Sequence, residues 1–294
     1  MLEAVPNVSE GRDPTVLAAI GEAFAEGVAL LDVHSDPEHH RSVFTLLGEQ
    51  DTLVDALLAG IARTSELIDL RQHVGVHPRV GAADVVPLVP LRLDEMPLAV
   101  EAARELSRRV GRELGLPVFR YGEIGADRRP AFFRRGGLDG LIRLVEEGEL
   151  EPDDGPSTID TRSGVVLVGA RAPLVAYNVE LATDDVAVAR TVAAAVRASG
   201  GGMPGVQAIG LLLPESGRVQ VSMNVIDVEQ APLHEVVRRV RDEAATRGIE
   251  VRGGELVGLV PASVTRAAAA AGVAIAGVDE SRVLENVLRS RLAE

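Results

Sequence analysis

The chain has 294 residues, a formal net charge of -14 and no cysteine. The missing thiols exclude disulfides, cysteine nucleophiles and Cys-ligated zinc or iron–sulfur centres. The acidic balance argues against nucleic-acid partners, which call for a basic field. Tryptophan is absent and aromatics make up 2%, so any core is built from Val, Leu and Ala. A length of 294 residues supports a sizeable core and often divides into two domains. The opening MLEAVPNVSEGRD lacks the basic-then-apolar pattern of a signal peptide. No uncharged apolar stretch reaches the length of a membrane span, which is compatible with a cytoplasmic protein.

Residues 2–5 read as a short strand ended by Pro6. A polar turn follows, and Asp13 with Pro14 begins a helix to about Phe24. Residues 28–32 form the next strand, residues 34–40 a polar loop, and residues 41–47 another strand. Asp51 caps a second helix to about Thr64, and residues 85–89 form a strand. A long helix over 94–111, a strand over 116–121 and a charged segment, helical beyond Leu138, come next. Residues 151–163 are acidic and rich in turn formers, and are predicted to be the linker. Beyond it come a strand at 174–180 and a helix from Thr183 to about 197. A hairpin of 206–213 and 219–226, a helix at 232–246 and a strand at 255–260 complete the second half. Two helical segments, 262–271 and 280–292, close the chain. Both halves run strand, helix, strand, strand, helix, strand. The expected fold is therefore α/β (α+β), with two similar subdomains at 1–162 and 163–294, each a mixed sheet with packed helices.

The stretch QHVGVHPRVGAADVVPLVP, residues 72–90, concentrates polar chemistry against an apolar strand. Pro78 follows His77, so His73 and His77 are not read as an i,i+4 helical pair; they lie in a rigid loop. His77 is the acid–base candidate, since imidazole titrates near neutrality. Asp84 either accepts from a histidine or satisfies backbone N–H groups; His73 is a second proton donor or a substrate contact. Arg12, Arg41, Arg79 and Arg171 stand in polar turns beside strands, where a guanidinium can clamp a carboxylate. His34, His39, His40, His73 and His77 share the first half, yet no spacing is diagnostic for a metal and HEXXH is absent, so none is expected. The Gly-rich pieces match neither a dinucleotide fingerprint nor a phosphate-binding loop, and GxSxG is missing.

These residues resemble the glutamate formimidoyltransferase (formiminotransferase) family. The match runs through VPNVSEGR at 5–12, SDPEHHRSVFTLLG at 35–48 and HVGVHPRVGAADVVPLVP at 73–90. It continues through PVFRYGE at 117–123, GAR at 169–171 and YNVEL at 177–181. VQAIG at 206–210, VSMNVIDVE at 221–229 and ELVGLVP at 255–261 complete it. The resemblance implies transfer of the formimino group of N-formimino-L-glutamate to N5 of tetrahydrofolate, a co-substrate, in histidine degradation. It implies two α/β subdomains with folate between them, a homodimer, and a separate cyclodeaminase acting downstream. It puts catalysis on His77, with Asp84 and His34, and binding on Asn7, Arg41, His73, Arg79, Arg171, Asn178 and Asn224. Arg171, Asn178 and Asn224 are expected to come from the second subdomain. His34 stands where animal members carry aspartate, and His40 where asparagine is usual. Formyl transfer from N-formylglutamate, and folate binding without turnover, are the alternatives.

Overall fold

The computed structural model describes residues 1–126 and 128–292. The chain separates into two compact units, Met1–Ala172 and Pro173–Glu294.

In the first unit, β1 (Leu2–Ala4) and β2 (Asn7–Val8) are one strand broken at Pro6; both lie between β4 (Arg41–Gly48) and β5 (Ala83–Pro90). Helix α1 (Pro14–Phe24) starts where expected, because the Asp13 carboxylate accepts from the N–H groups of Thr15 and Val16. Helix α2 (Gln50–Leu67) is capped at Glu49, with Asp51 inside its first turn rather than at the cap. Gly60 of α2 lies against the ring of Phe24, and a Cβ there would overlap that buried ring. Close packing of α1 on α2 therefore depends on the missing side chain. Strand β3 (Ala29–Asp36) extends past the expected end of its strand. It pairs antiparallel with β4 as far as Asp36 opposite Arg41, so the predicted loop 34–40 shrinks to a turn and His34 lies in a strand opposite Val43.

Beyond β5 come α3 (Met96–Arg109), β6 (Val118–Gly122), α4 (Pro130–Phe133), α5 (Gly137–Glu146) and β7 (Val166–Ala170). Strand β7 inserts parallel between β5 and β6. It escapes the sequence reading because all its residues are buried, which erases polar–apolar alternation. Its pairing carries the first unit past the expected boundary at 162/163, to Ala172. The acidic segment expected to link the halves is instead tied down beside β6. Val118 N donates to Asp154 O at 2.9 Å, and Arg120 meets the Asp154 carboxylate at 2.6 Å.

The second unit is a four-stranded antiparallel sheet of β8 (Val175–Leu181), β9 (Val206–Leu213), β10 (Arg218–Val225) and β11 (Val251–Val257), ordered β11-β8-β10-β9. Helices α6 (Val186–Val196) and α7 (Leu233–Ala245) share its core, and α8 (Ala262–Ala270) and α9 (Leu284–Leu292) follow. Helix α6 begins after Asp185, whose carboxylate accepts from Ala187 N, rather than at Thr183. Strand β11 starts earlier than predicted because its glycines are structural: a Cβ on Gly254 would collide with the Tyr177 ring.

The order β5-β1-β4-β3 in the first unit matches β11-β8-β10-β9 in the second. Each is the split βαββαβ arrangement that the repeated element order predicts. The first unit adds α3 to β7 to that plan.

Candidate functional site

One face of the first sheet packs on α1 to α3 through Phe44, Leu46, Val86, Leu88, Val166 and Val168. The other carries Val85, Phe119, Tyr121 and Leu167 under Phe133 of α4 and Leu141 of α5. Polar residues gather at the edge of this second face. Asn7 lies opposite Val43 and Val85, while the pairing of β2 with β5 shifts register between Val8/Ala83 and Asn7/Val85. The unmatched residue is Asp84, and the bulge frees its side chain from the alternation of the strand.

Asp84 is fully buried and organises the charges. One carboxylate oxygen accepts from Arg41 Nη1 at 2.7 Å and from Arg134; the other accepts from Val80 N at 2.8 Å. Burial alone would raise its pKa, but Arg134, Arg41 and the Val80 N–H override this and hold the carboxyl far below its ordinary range. Arg41 is lowered by burial to about 10 and remains charged at neutrality. Its Nε donates to Asn7 Oδ1 at 3.0 Å, and Asn7 Nδ2 donates to Val5 O at 2.8 Å. Among the described residues, Asp84 therefore makes no hydrogen bond to a histidine. Of its two sequence readings, the geometry matches the one in which it satisfies a backbone N–H, that of Val80, and adds two arginine donors that neither reading contained.

The loop that follows α2 is stitched by Arg79. Its guanidinium donates to Gly75 O and His77 O, both at 2.8 Å, and to His73 Nδ1. His73 Nε2 donates to His40 O at 2.9 Å, and its ring stacks on His40 at 4.0 Å between centroids. Arg79 and His73, both expected on substrate, are thus spent on the loop itself. Gly75 packs so tightly that a Cβ would stand 2.6 Å from His39 O and 2.8 Å from the Arg79 guanidinium. His40 adopts φ 49°, the left-handed region that asparagine tolerates better than most side chains.

Burial, then the Arg79 charge, lowers His73 to about 4 from 6.5. A histidine depressed on folding stays neutral while the unfolded chain takes up a proton. Its contribution to stability is complete above pH 6.5 and is lost as pH falls from 6.5 toward 4. Protection of the amides of residues 73–79, taken as exchange relative to the intrinsic rate at each pH, should therefore fall across that window, and protection that stays constant through it would contradict this origin of the loop's rigidity.

His77 projects from this loop. Its Nδ1 donates to Pro78 O at 2.8 Å, leaving the Nε2 lone pair as the proton acceptor. Burial, with the Arg41 and Arg134 charges next, holds the imidazole well below its ordinary 6.5. At neutrality it is an uncharged base. A backbone carbonyl supplies the orienting bond that the sequence reading assigned, as one option, to Asp84.

The remaining predicted residues fall in separate places. His34 lies on β3 in the first unit. Arg171 follows β7 and belongs to the first unit, not the second; it donates to Ala172 O at 2.9 Å, and its charge acts against the burial that raises the Tyr121 hydroxyl to about 12. Asn178 and Asn224 are in the second unit. Each alternates with residues of its apolar core, which turns both to the face away from α6 and α7. Sequence reasoning missed Arg134 as a site residue; it stands just past α4, in a segment read only as charged. It also missed the Asp36–His39 pair. The signal there was an Asp-Pro-x-His spacing, in which Asp36 Oδ1 accepts from the N–H groups of Glu38 (2.8 Å) and His39 (2.9 Å) as an Asx turn. No group of three His, Asp or Glu side chains converges as metal ligands among the described residues.

The first of two βαββαβ units thus holds a neutral imidazole, able to accept a proton, near a buried carboxylate–arginine cluster. Comparisons with known proteins place the chain in a family. Residues 1–171 match the model of the formiminotransferase domain, N-terminal subdomain, and residues 176–278 that of the formiminotransferase domain. Glutamate formimidoyltransferase of Thermoplasma acidophilum is 40% identical over 97% of this chain and 96% of its own. The protein of the same name from Streptococcus pyogenes serotype M1 is 39% identical over 89% of each chain. Formimidoyltransferase-cyclodeaminase of Rattus norvegicus is 38% identical over 92% of this chain but only 52% of its own. The chain belongs to the formiminotransferase family.

Proposed function

We propose that this protein is a glutamate formimidoyltransferase, moving the formimino group of N-formimino-L-glutamate to N5 of tetrahydrofolate in histidine degradation. The observation that carries this reading is the likeness to glutamate formimidoyltransferase across 97% of this chain and 96% of the relative. The site agrees with it chemically. N5 must lose a proton as it attacks the amidine carbon, and an uncharged His77 with Nε2 available is suited to accept it. The donor carries carboxylates, and Arg41 and Arg134 outnumber the single Asp84 between them. Arg134 also has a buried Nε with no hydrogen-bond partner among the described residues, which gives it donor capacity to spare. Holding both substrates in register contributes much of such a rate enhancement.

In this reading Asn7 orients Arg41, while Arg79 and His73 hold the His77 loop. His34 keeps a catalytic role, Arg171 is a substrate contact, and Asp84 is an electrostatic anchor. The enzyme is a cytoplasmic homodimer. Purified protein given tetrahydrofolate and N-formimino-L-glutamate is expected to form 5-formiminotetrahydrofolate, whereas N-formylglutamate gives no comparable turnover. Equal or faster transfer from the formyl donor would replace this assignment with formyl transfer.

A further inference from the structure

Asp84 holds its two guanidiniums unequally. Arg41 is bonded along two edges, through Nη1 to Asp84 and through Nε to Asn7, which is held in turn by Val5 O. Arg134 bonds only Asp84, through Nη2, among the described residues, and its buried Nε has no partner there. Its backbone is nevertheless fixed. Phe133, the residue before it, is 1% exposed, and Arg134 O accepts from Gly137 N at 3.1 Å. Two guanidiniums share one carboxylate, so the pair of contacts leaves one positive charge in excess. Such a charge, largely withdrawn from water, is costly unless an anion completes it. The chemistry of the two substrates says which anion. Carboxylates occur on the donor glutamate and on the glutamate tail of folate. His77 feels the charge of Arg134 as well as that of Arg41, so the amidine carbon that His77 serves comes close to this guanidinium. The donor's α-carboxylate shares its carbon with the departing nitrogen. The donor's other carboxylate lies two methylenes farther off, and the folate tail is separated from N5 by the pterin and the aminobenzoyl ring.

Resting on the formimidoyl-transfer reading, we infer that Arg134 is the residue that selects the donor, its unfilled N–H groups receiving the α-carboxylate of N-formimino-L-glutamate. Asp84 steadies the guanidinium through Nη2, and the substrate supplies the anion that the cluster lacks. Arg41, committed to Asp84 and Asn7, keeps the anchor in place. The contact fixes the departing nitrogen relative to His77 and moves no proton. A planar fork of donors suits a carboxylate, which it can meet through two parallel hydrogen bonds. A donor whose α-carboxylate is replaced by a neutral group leaves the buried charge unanswered, which is the basis of discrimination at such a site.

The test is steady-state transfer with the full chain at about pH 8, above the range in which an imidazole takes up a proton. Tetrahydrofolate is paired with N-formimino-L-glutamate, with its α-carboxamide and with its side-chain carboxamide. The parent is expected to lose about 10- to 100-fold in kcat/KM on the α-carboxamide. Arg134→Gln is expected to lose a similar factor on the natural donor, mainly through KM, and to prefer it over the α-carboxamide by no more than about threefold. Its KM for tetrahydrofolate and its discrimination against the side-chain carboxamide should match those of the parent. Discrimination against the α-carboxamide that survives in Arg134→Gln overturns the role, as does a parent that accepts both donors equally. A rise confined to the KM for tetrahydrofolate, or lost discrimination against the side-chain carboxamide alone, overturns it too, by moving the contact to another carboxylate. If Arg134→Gln does not fold, Arg134→Lys decides, since it keeps the charge and loses the fork. A donor KM raised about tenfold, with that for tetrahydrofolate unchanged, supports the role; an unchanged donor KM overturns it. A parent protein that makes no 5-formiminotetrahydrofolate refutes the transferase reading itself, an outcome distinct from an active parent whose donor preference is independent of Arg134.

Discussion

His77→Gln is expected to lose about 10²–10⁴-fold in kcat, the usual range for removing a general base, with substrate KM values close to those of the parent. The fold should survive, because among the described residues its side chain bonds only Pro78 O, in its own loop. The pH profile adds an independent check. With the imidazole held below 6.5 by burial and by Arg41 and Arg134, the base stays deprotonated at neutrality. The acid limb of kcat/KM for the parent enzyme should therefore lie below pH 6.5. Turnover by His77→Gln within about tenfold of the parent would remove His77 from the chemistry; an acid limb above 6.5 would show that the arginines do not set its protonation.

Asp84→Ala is expected to act first on stability. Asp84 is fully buried, and its loss strands Arg41 and Arg134, only 10% and 14% exposed, with no carboxylate between them. Breaking a buried ion pair from one side costs about 3–5 kcal/mol, which for a unit of this size corresponds to a fall of roughly 10 °C in melting temperature. Activity should fall as well, since the same cluster sets the charge around His77. The sign with pH is clear. A carboxylate depressed on folding contributes stability above its unfolded value of 3.8, and that contribution fades only as pH falls below 3.8 toward the lower folded value. The anchor is therefore intact throughout the neutral and mildly acidic range. A melting temperature within about 2 °C of the parent, combined with a collapse of kcat, would restore Asp84 as a direct partner of a catalytic histidine.

The contrast between these two variants shows how far the sequence reaches. The loop nature of residues 73–82 was legible, because Pro78 after His77 forbids helix and the glycines admit close packing. So was the repeated βαββαβ order, since α1, α2, α6 and α7 carry helical spacing and β8 and β10 alternate. Strand β7 was not, because full burial on both faces removes the alternating signal. Its omission displaced the domain boundary and assigned Arg171 to the wrong unit. His34 was read as part of a loop because polar residues fill the end of β3, yet hairpin pairing with β4 keeps them extended.

Residue identity along the chain determined which groups are available: two histidines in a Pro-stiffened loop, an aspartate leading into an apolar strand, and arginines in polar turns. Hydrogen-bond partnership was decided only in three dimensions. A register shift of one residue freed Asp84 from its strand, and that carboxylate met Arg41 and Arg134, 43 and 50 positions away. Arg79, placed on substrate by its motif, turned inward to the carbonyls of its own loop. Composition and spacing specify donors and acceptors. Which donor reaches which acceptor depends on strand register and on packing between distant segments, and no local pattern encodes either.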